Sequence, residues 1–535
     1  MPAPRIITSI DDQSTRVSST GTYNAAIVIA AKKGEINKPV KVTGQSDFLR
    51  KFTPNERIEI GWDMAYYEAY KYLATQSNLF VVRAAHIQDL DTDEADYPAL
   101  YGGCLIKDMN AANENLSCPN GFASPQDYLF QTDEVLLIYG ANEGAYNNEL
   151  SVVIETDPKV VKLDNAFIIK VYKKNILVET KVCSLDPSAK NGFGVNCFVE
   201  TVLKGSLYIR AISNGIQDEN GKYPMPKAQA KPIALAGGND GSAVTDADRI
   251  AALKTLSNLN DTNIQLIMDG GNTTPAYAKA ILDVCKAREE SCNGIICTRY
   301  EDEVAADSLT AIKKYREEEL NINDYNMELY TPHQMIYDEF SDRNIYISPG
   351  PFVASLIMST ASSLGWHWAV AGYNRGVVNS LDVAATFEPS IVDELSDAQV
   401  NTIIKDPGFG NIIFDELTMQ STASDMQDAH IERYLNIYLR PKLKEALKPF
   451  LFEFNDEETR MVKTRMVDNL MRTQNAARAC YAYRIICDET NNLADDIQNN
   501  ILNSWLYIQP TKISKEIRQK IIVTPVSVDL ESIEI

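Results

Sequence analysis

Histidine, the side chain best suited to proton transfer near neutral pH, is scarce in this chain of 535 residues, which has only His86, His333, His367 and His430. Neither the H-E-x-x-H pattern of zinc proteases nor the G-x-S-x-G pattern of serine hydrolases occurs. His367 lies between Trp366 and Trp368, an arrangement typical of a packed aromatic patch. Active sites assembled from distant residues leave no motif, so these absences weaken the case for an enzyme without closing it.

Paired cysteines and long apolar runs are missing as well. The nine cysteines include no C-x-x-C pair, and an odd number fits no complete disulfide framework, so we expect buried free thiols in a reducing cytoplasm. No apolar run approaches the roughly 20 residues of a membrane span. The first residues also lack the apolar core of a signal peptide. We therefore expect no membrane insertion, no metal, no cofactor and no catalytic residue.

Negative charge is in excess. Against 51 Lys and Arg the chain has 73 Asp and Glu, a net charge of -22, which disfavours direct binding of nucleic acid or of an anionic membrane. The hydrophobic fraction of 45% and the charged fraction of 23% are those of a globular protein. At this length several domains are expected rather than one core.

The pattern of predicted strands and helices changes along the chain. Residues 21–90 combine predicted strands at Tyr23–Ala30 and Leu79–Arg83 with a helix at 63–75. From 91 to 234, short apolar runs separated by Gly, Asn and Asp predict a small β sandwich or barrel. From 235 onward strands alternate with helices, which predicts a parallel sheet with helices on its faces.

Two places in this α/β region could hold a site. Leu235–Gly241 is rich in glycine but lacks the spacing of a phosphate loop, so a tight turn is the favoured interpretation. Asp269 follows a predicted strand, where a metal or nucleotide could bind. No second carboxylate or lysine lies at a motif-like spacing, so we predict helix capping or turn formation there.

A predicted helix after Glu457 carries basic residues in an acidic protein. Val462, Met466, Leu470 and Ala477 recur at helical spacing and are expected to form its buried face. Basic residues are expected on the opposite side: Arg465 and Arg472 with Asp468 between them, flanked by Arg460 and Lys463. A solvated charged face and a docking surface for an acidic protein both fit this pattern.

Both ends of the chain are predicted to be extended. Residues up to about 20 are polar, and from 519 onward the chain alternates, with one face made of Ile522, Thr524, Val526, Val528 and Leu530. Pro525 cannot donate a ladder hydrogen bond, which suits an edge strand. Such segments have no neighbouring strand in sequence, so their backbone groups are expected to pair with another copy of the chain.

The order of several short motifs resembles that of contractile tail sheath proteins of tailed bacteriophages and related injection systems. The similarity covers nearly the whole chain and is carried by Gly21–Tyr23, Ala31–Val40, Leu79–Ala84, Leu235–Gly241, Thr245–Asp248, Tyr346–Pro351, Ala371–Gly376, Phe454–Glu457 and Cys487–Asn492. Val370 precedes Ala371, so the proline usual in that loop of the family is missing. Each motif is weak alone, and their order makes the resemblance.

The resemblance implies an α/β and β multidomain fold. A discontinuous α+β core would be formed by the N- and C-terminal parts, with an inserted β-rich domain and an inserted parallel-sheet α/β domain of subtilisin-like, non-catalytic shape. The implied segments are an arm at 1–20, the first part of the core at 21–90, the outward-facing β-rich domain at 91–234, the α/β domain at 235–385, a C-terminal domain at 386–518 and an arm at 519–535.

The implied function is structural. Hexameric rings would stack around a tail tube in the virion tail, assembled in the host cytoplasm, and contract from a metastable extended state. The implied partners are other copies, the tube protein, and baseplate and tail terminator proteins. Strand exchange would use Ile6, Ile7 and the alternating face from Ile522 to Leu530, and the tube would meet Arg460, Lys463, Arg465 and Arg472. The alternatives are a hydrolase using Asp269 and a non-contractile tube or shell protein.

Overall fold

Short runs of aliphatic and β-branched residues, bounded by turn-forming residues, give most of the strands of this protein. A computed structural model describes residues 23–87, 98–156, 166–217, 221–259 and 261–521. In these ranges the strands are β1 Ala25–Ile29, β2 Pro39–Val42, β3 Leu79–Arg83, β4 Tyr101–Lys107, β5 Leu116–Phe122, β6 Glu134–Gly140, β7 Leu150–Glu155, β8 Ala166–Lys173, β9 Ile176–Ser184, β10 Ile209–Ser213, β11 Ile233–Ala234, β12 Leu266–Met268, β13 Asn293–Cys297, β14 Met327–Thr331, β15 Gln334–Asp338, β16 Arg343–Ile347, β17 Val377–Val378, β18 Asp382–Val383, β19 Asn401–Asp406, β20 Gly410–Ile413, β21 Cys480–Ile486 and β22 Trp505–Pro510.

The helices lie mainly in the α/β region and near the C-terminus. They are α1 Gln45–Phe52, α2 Met64–Tyr72, α3 Val199–Leu203, α4 Asp246–Lys254, α5 Pro275–Ala287, α6 Tyr300–Glu303, α7 Ser308–Lys314, α8 Gly350–Ser363, α9 Pro389–Asp397, α10 Ala429–Glu432, α11 Arg440–Leu447, α12 Glu457–Ala476 and α13 Ala494–Gln498. Two π-helical segments, Tyr315–Leu320 and Arg433–Leu439, continue α7 and α10. The chain divides into two compact units after Pro441.

A nine-stranded sheet forms the centre of the first unit, in the order β17-β20-β19-β14-β13-β12-β1-β3-β2. The strands from β19 through β14, β13, β12 and β1 to β3 pair in parallel, and antiparallel strands flank them at both edges. The predicted parallel sheet is therefore confirmed. It takes strands from three segments that the sequence separates, 21–90, 235–385 and 386–518, because β1 pairs directly with β12.

Strand β1 shows why this sheet is buried on both faces. All five of its residues are fully buried, with Ala25, Ile27 and Ile29 in one apolar core and Ala26 and Val28 in the other. Helices α2 and α8 supply side chains to the first core, and α4 and α5 supply them to the second. A continuous apolar run is what a central parallel strand needs when helices cover both faces.

Residues 98–234 form two four-stranded sheets, with strand orders β10-β6-β4-β5 and β11-β7-β8-β9. Pairing within both sheets is antiparallel. Alternate residues of the two sheets meet in one apolar core that includes Ile138, Val152 and Ile169. The predicted β-rich module with strands near 135, 150, 167 and 176 is thus confirmed.

The second unit is small. Its helix α12 packs beside a two-stranded antiparallel sheet of β21 and β22, with pairs from Cys480↔Pro510 to Ile486↔Trp505. The alternation of exposure along β22 shows one face turned toward the helix and the other toward solvent. The sequence did not indicate this hairpin, although its residues are rich in Tyr, Ile and Trp.

Candidate functional site

Asp269, the residue at a strand end where a metal or nucleotide could bind, stabilises a turn through two hydrogen bonds. Its Oδ2 accepts a hydrogen bond from the Cys297 backbone N–H at 2.7 Å, and its Oδ1 accepts one from Gly271 N–H at 3.1 Å. Gly270 and Gly271 have φ of 68° and 71°, a conformation that glycine adopts without strain. The prediction of turn formation at Asp269 is confirmed.

Glu68, on helix α2, is a second buried carboxyl group beside Asp269. Burial and then the charge of Asp269 raise the pKa of Glu68 well above its usual value, and burial also raises the pKa of Asp269. Neither residue is more than 1% exposed. The arrangement gives a substrate no access to the pair, so it offers no support for a hydrolase.

The glycine-rich segment Leu235–Gly241 brings two backbones together. Gly237 has φ of 81°, and a Cβ there would lie 2.0 Å from the backbone nitrogen of Gly121. The predicted tight turn is confirmed, and its glycine is needed because the chain passes so close to β5. The predicted aromatic patch is confirmed too, since the His367 ring lies 5.9 Å from Trp368 and from Tyr434.

Helix α12 buries a different face from the one expected. Its buried residues are Arg460, Lys463, Val467, Met471 and Gln474, whereas Val462 is 48% exposed. The expected buried face of Val462, Met466, Leu470 and Ala477 is therefore wrong. The expected exposure of Arg460 and Lys463 is wrong as well, because the aliphatic stems of long basic side chains can line a packed face.

Arg465 and Arg472 remain on the exposed side of α12. Arg472 Nε lies 2.8 Å from Asp468 Oδ2, with the arginine side chain 73% exposed. Asp468 also accepts a hydrogen bond from the Tyr483 hydroxyl at 2.8 Å, which links the helix to strand β21. Half of the expected basic array thus faces solvent, and contact with an acidic partner stays a prediction.

The hairpin of β21 and β22 is the second surface suited to assembly. Its face away from α12 presents Trp505, Tyr507 and Arg484, with Trp505 51% and Tyr507 54% exposed. Within the described residues neither strand pairs with a second strand, so both outer edges of the sheet are open to strand addition. The side chains of Asn475 and Asn491 donate hydrogen bonds to carbonyl groups near the two ends of β21. The residues expected to exchange strands lie outside the described part of the chain: Ile6, Ile7, Ile522, Thr524, Val526, Val528 and Leu530.

Charge is unevenly divided between the units. Residues 442–535 contain 13 Lys and Arg against 14 Asp and Glu, so almost all of the net charge of -22 belongs to the first 441 residues. Across the ranges given above, no group of three or more His, Cys, Asp or Glu is arranged to hold a metal ion. None of the helices in those ranges is long and apolar enough to cross a membrane.

These sheets and units define a mixed α/β multidomain protein. Comparison with known proteins shows which class of protein it is similar to. The tail sheath protein of Enterobacteria phage T4 is 23% identical over 431 residues, 77% of this chain and 63% of that protein. The tail sheath protein of Vibrio phage KVP40 is 24% identical over 392 residues, 69% of this chain and 57% of that protein. The matched region therefore spans less than two thirds of either relative.

The fold agrees with these similarities. The sheath tail protein of Listeria innocua has a TM-score of 0.54 to this chain at 11% identity, covering 91% of this chain and 95% of the other. No protein-family model matches the chain. The resemblance to contractile tail sheath proteins is confirmed by the sequence relatives, and the several-sheet α/β fold is shared with a solved sheath protein.

Proposed function

We propose that this chain is the structural subunit of a contractile tail sheath. Copies polymerise as stacked hexameric rings around a tail tube, and the sheath contracts from a metastable extended state to drive the tube through the host envelope. Similarity to the sheath proteins of two phages supports the class. The observation that carries the mechanism is the open two-stranded sheet of the second unit.

A two-stranded sheet is marginally stable alone and exposes backbone donors and acceptors along both edges. An extended segment with one apolar face can complete such a sheet by β-strand addition. The alternating residues from Ile522 to Leu530, and Ile6 and Ile7 at the other end, are suited to be the donated strands. Exchange between neighbouring copies would link the subunits into a mesh that survives contraction.

The work of contraction comes from packing in this proposal. Assemblies with two alternative sets of contacts switch between them without a continuous range of intermediates. The contracted arrangement gains contact between subunits, so no nucleotide is required. Arg465 and Arg472 hold an acidic tube in the extended state, and such exposed ion pairs are weak and sensitive to salt, which suits release. Arg460 and Lys463 take no part in this, because they are buried.

The remaining assignments follow the same proposal. The subunit resides in the virion tail after assembly in the host cytoplasm, and its partners are other copies, the tube protein, and the baseplate and terminator proteins at the ends. The inserted β-rich domain at 91–234 faces outward. The α/β segment at 235–385 has the subtilisin-like shape, and the arms at 1–20 and 519–535 extend to neighbours.

Deleting Thr524–Ile535 tests the strand exchange. The truncated chain is expected to fold as a monomer and to form no cylinders in negative-stain electron micrographs, where the full chain does. A matched pair of variants sharpens the test: Val526→Asp with Val528→Asp alters the alternating apolar face and should prevent assembly, whereas Ser527→Asn with Asp529→Asn alters the opposite face and should not. Cylinders formed by the truncated chain as readily as by the full chain would refute the exchange.

Reversing the two exposed arginines tests the tube contact. Arg465→Glu with Arg472→Glu is expected to abolish extended sheaths on purified tubes and to leave tube-free cylinders unchanged. Arg518→Glu with Lys520→Glu, in the same unit, is the control for a general effect of added negative charge. Normal assembly of the Arg465 and Arg472 variant on tubes would remove these residues from the proposal.

A further inference from the structure

A small pocket with basic walls lies where the loop after β1, the end of α1 and the inserted β-rich domain meet. Its volume is about 140 Å³. At the liquid share of about 30 Å³ per water, this is room for a few waters or one small ion. Four basic residues line it, Lys33, Arg50, Lys51 and Arg210, with Phe52 and Leu207 among its apolar walls. The one acidic residue of the lining, Glu35, lies 2.5 Å from Lys38 Nζ.

The basic groups of this pocket have little negative charge to balance them. Arg50 and Lys51 share one carboxylate, that of Asp47, at 3.0 Å and 2.8 Å. Within the described residues, the hydrogen bonds of Lys33 and Arg210 all go to backbone carbonyl groups: Arg50 O for Lys33, and Leu203 O, Ser206 O and Ile209 O for Arg210. The carbonyl end of a helix supplies only about half a negative charge.

Lys33 is central to this excess of positive charge. It is 7% exposed, and its ammonium group lies 5.7 Å from the ring centroids of both Tyr146 and Tyr208. Its one hydrogen bond, to Arg50 O at 2.8 Å, uses one of three N–H donors. Burial, and then the charges of Lys173 and Arg50, lower the pKa of Lys33 to about 8 against the opposing effect of Glu56. A negative ligand would stabilise this buried ammonium group and accept hydrogen bonds from its two remaining N–H donors.

The loop that carries Lys33 is fixed before any ligand binds. Arg83, which is fully buried, donates from Nε to Ala31 O at 2.7 Å and from Nη1 to Gly34 O and Glu143 O at 2.8 Å each. Gly34 has φ of 111°, and a Cβ there would lie 2.9 Å from the Phe52 ring. The pocket is therefore preorganised, which reduces the entropy lost on binding.

From this geometry we propose that the pocket binds a single oxyanion, a carboxylate or a phosphate, through the ammonium of Lys33 and the guanidinium groups of Arg50 and Arg210. Two sources offer this chemistry, a free small anion and an acidic side chain of a second copy. The anion joins the loop after β1 to the inserted domain, because residues of both line the pocket. This inference does not depend on the sheath function.

Inorganic phosphate and acetate are the probes, added to the full, unassembled chain against chloride at equal ionic strength. We expect saturable binding of one ion per chain by isothermal titration calorimetry, and a rise in melting temperature that follows ligand concentration. Lys33→Met is expected to weaken binding at least tenfold. Lys279→Met, which removes an exposed ammonium on α5 away from the pocket lining, is expected to leave binding unchanged.

The pH dependence keeps the proposal testable if Lys33→Met does not fold. Acetate keeps its charge above pH 7, whereas Lys33 loses its own as pH rises past about 8. Acetate affinity of the unaltered chain should therefore fall roughly tenfold or more between pH 7 and 9.5. Absence of saturable binding, equal binding by the Lys33 and Lys279 variants, or pH-independent acetate affinity would each overturn the proposal.

The effect of phosphate on the rate of polymerisation distinguishes the two sources of the anion. Phosphate that slows polymerisation of the unaltered chain, but not of Lys33→Met, identifies an acidic side chain of a second copy as the competing occupant. Phosphate that binds without changing the rate of polymerisation identifies a free anion. Both results require the binding described above, so they cannot stand if the pocket binds nothing.

Discussion

Replacing Arg83 by methionine should destabilise the first unit more than any surface change. The guanidinium group of Arg83 donates to three carbonyl oxygens at 2.7–2.8 Å, and the residue is fully buried at the end of β3. One acceptor, Glu143 O, belongs to the β-rich region of residues 98–234, and the other two lie in the loop of residues 31–34. The substitution leaves three acceptors without their donor.

The magnitude follows from these bonds. A hydrogen bond that involves a charged group contributes about 1.5–3 kcal/mol, so three give an upper bound of about 5–9 kcal/mol. The loop of residues 31–34 can shift to let its carbonyl groups reach water, which recovers part of that. We therefore expect a loss of about 3–5 kcal/mol in the free energy of unfolding, below that upper bound, from neutral carbonyl groups left without a donor.

Urea unfolding followed by tryptophan fluorescence can measure this effect in one unit. Three of the four tryptophans, Trp62, Trp366 and Trp368, lie in the first unit, so a Trp505→Phe background removes the signal of the second. Arg83→Lys, which keeps the charge but loses the planar fork, should fall between the parent and Arg83→Met. Arg343→Met, at an exposed position, should change the free energy by less than about 0.5 kcal/mol. A loss below about 1 kcal/mol for Arg83→Met would refute the reasoning.

Two further substitutions probe the nine-stranded sheet and helix α2, which packs on it, by the same assay. Gly294→Ala should cost about 1–3 kcal/mol, because its Cβ would lie 2.5 Å from Ile281 Cγ2 and from Met327 Sδ, whereas Gly192→Ala, with nothing within 4 Å, should be neutral. Glu68→Gln should stabilise the protein at pH 8 by about 1–3 kcal/mol, because a carboxyl group with a raised folded-state pKa lowers stability as pH rises from its unfolded to its folded value. That advantage should shrink toward pH 4.5, and a gain that is independent of pH would contradict the burial argument.

Local pattern was enough to predict most helices and the strands with compact apolar runs, but not others such as β21 and β22. Apolar runs such as Leu79–Arg83 are long enough for one strand and bounded by turn residues, so sequence alone places them. It cannot tell which strands pair, because β1 meets β12 across 241 residues, as the bond from Asn24 N–H to the Gln265 side chain shows. The division into segments at 90 and 385 accordingly separates strands that share one sheet.

The basic helix shows a second limit. On α12 two stripes compete, one through Val462 and Met466 and one through Val467 and Met471, and apolar spacing favoured the first. The structure buries the second together with Lys463, whose pKa is lowered by that burial. The buried stripe could have been predicted only by allowing long charged side chains on the packed face of the helix. The buried contacts of Arg83 leave no signal in sequence at all, because its acceptors are backbone atoms.

The central position of β1 bears on how the chain is made. The strand leaves the ribosome long before its neighbour β12, and at 5–20 residues per second the 241 intervening residues take on the order of ten to fifty seconds to synthesise. The sandwich of residues 98–234 is complete in that interval and can fold first, since its strands pair among themselves. In that interval β1 can pair with β3, but its edge toward β12 stays without a partner strand. Nascent chains are therefore expected to need protection from premature association at this edge.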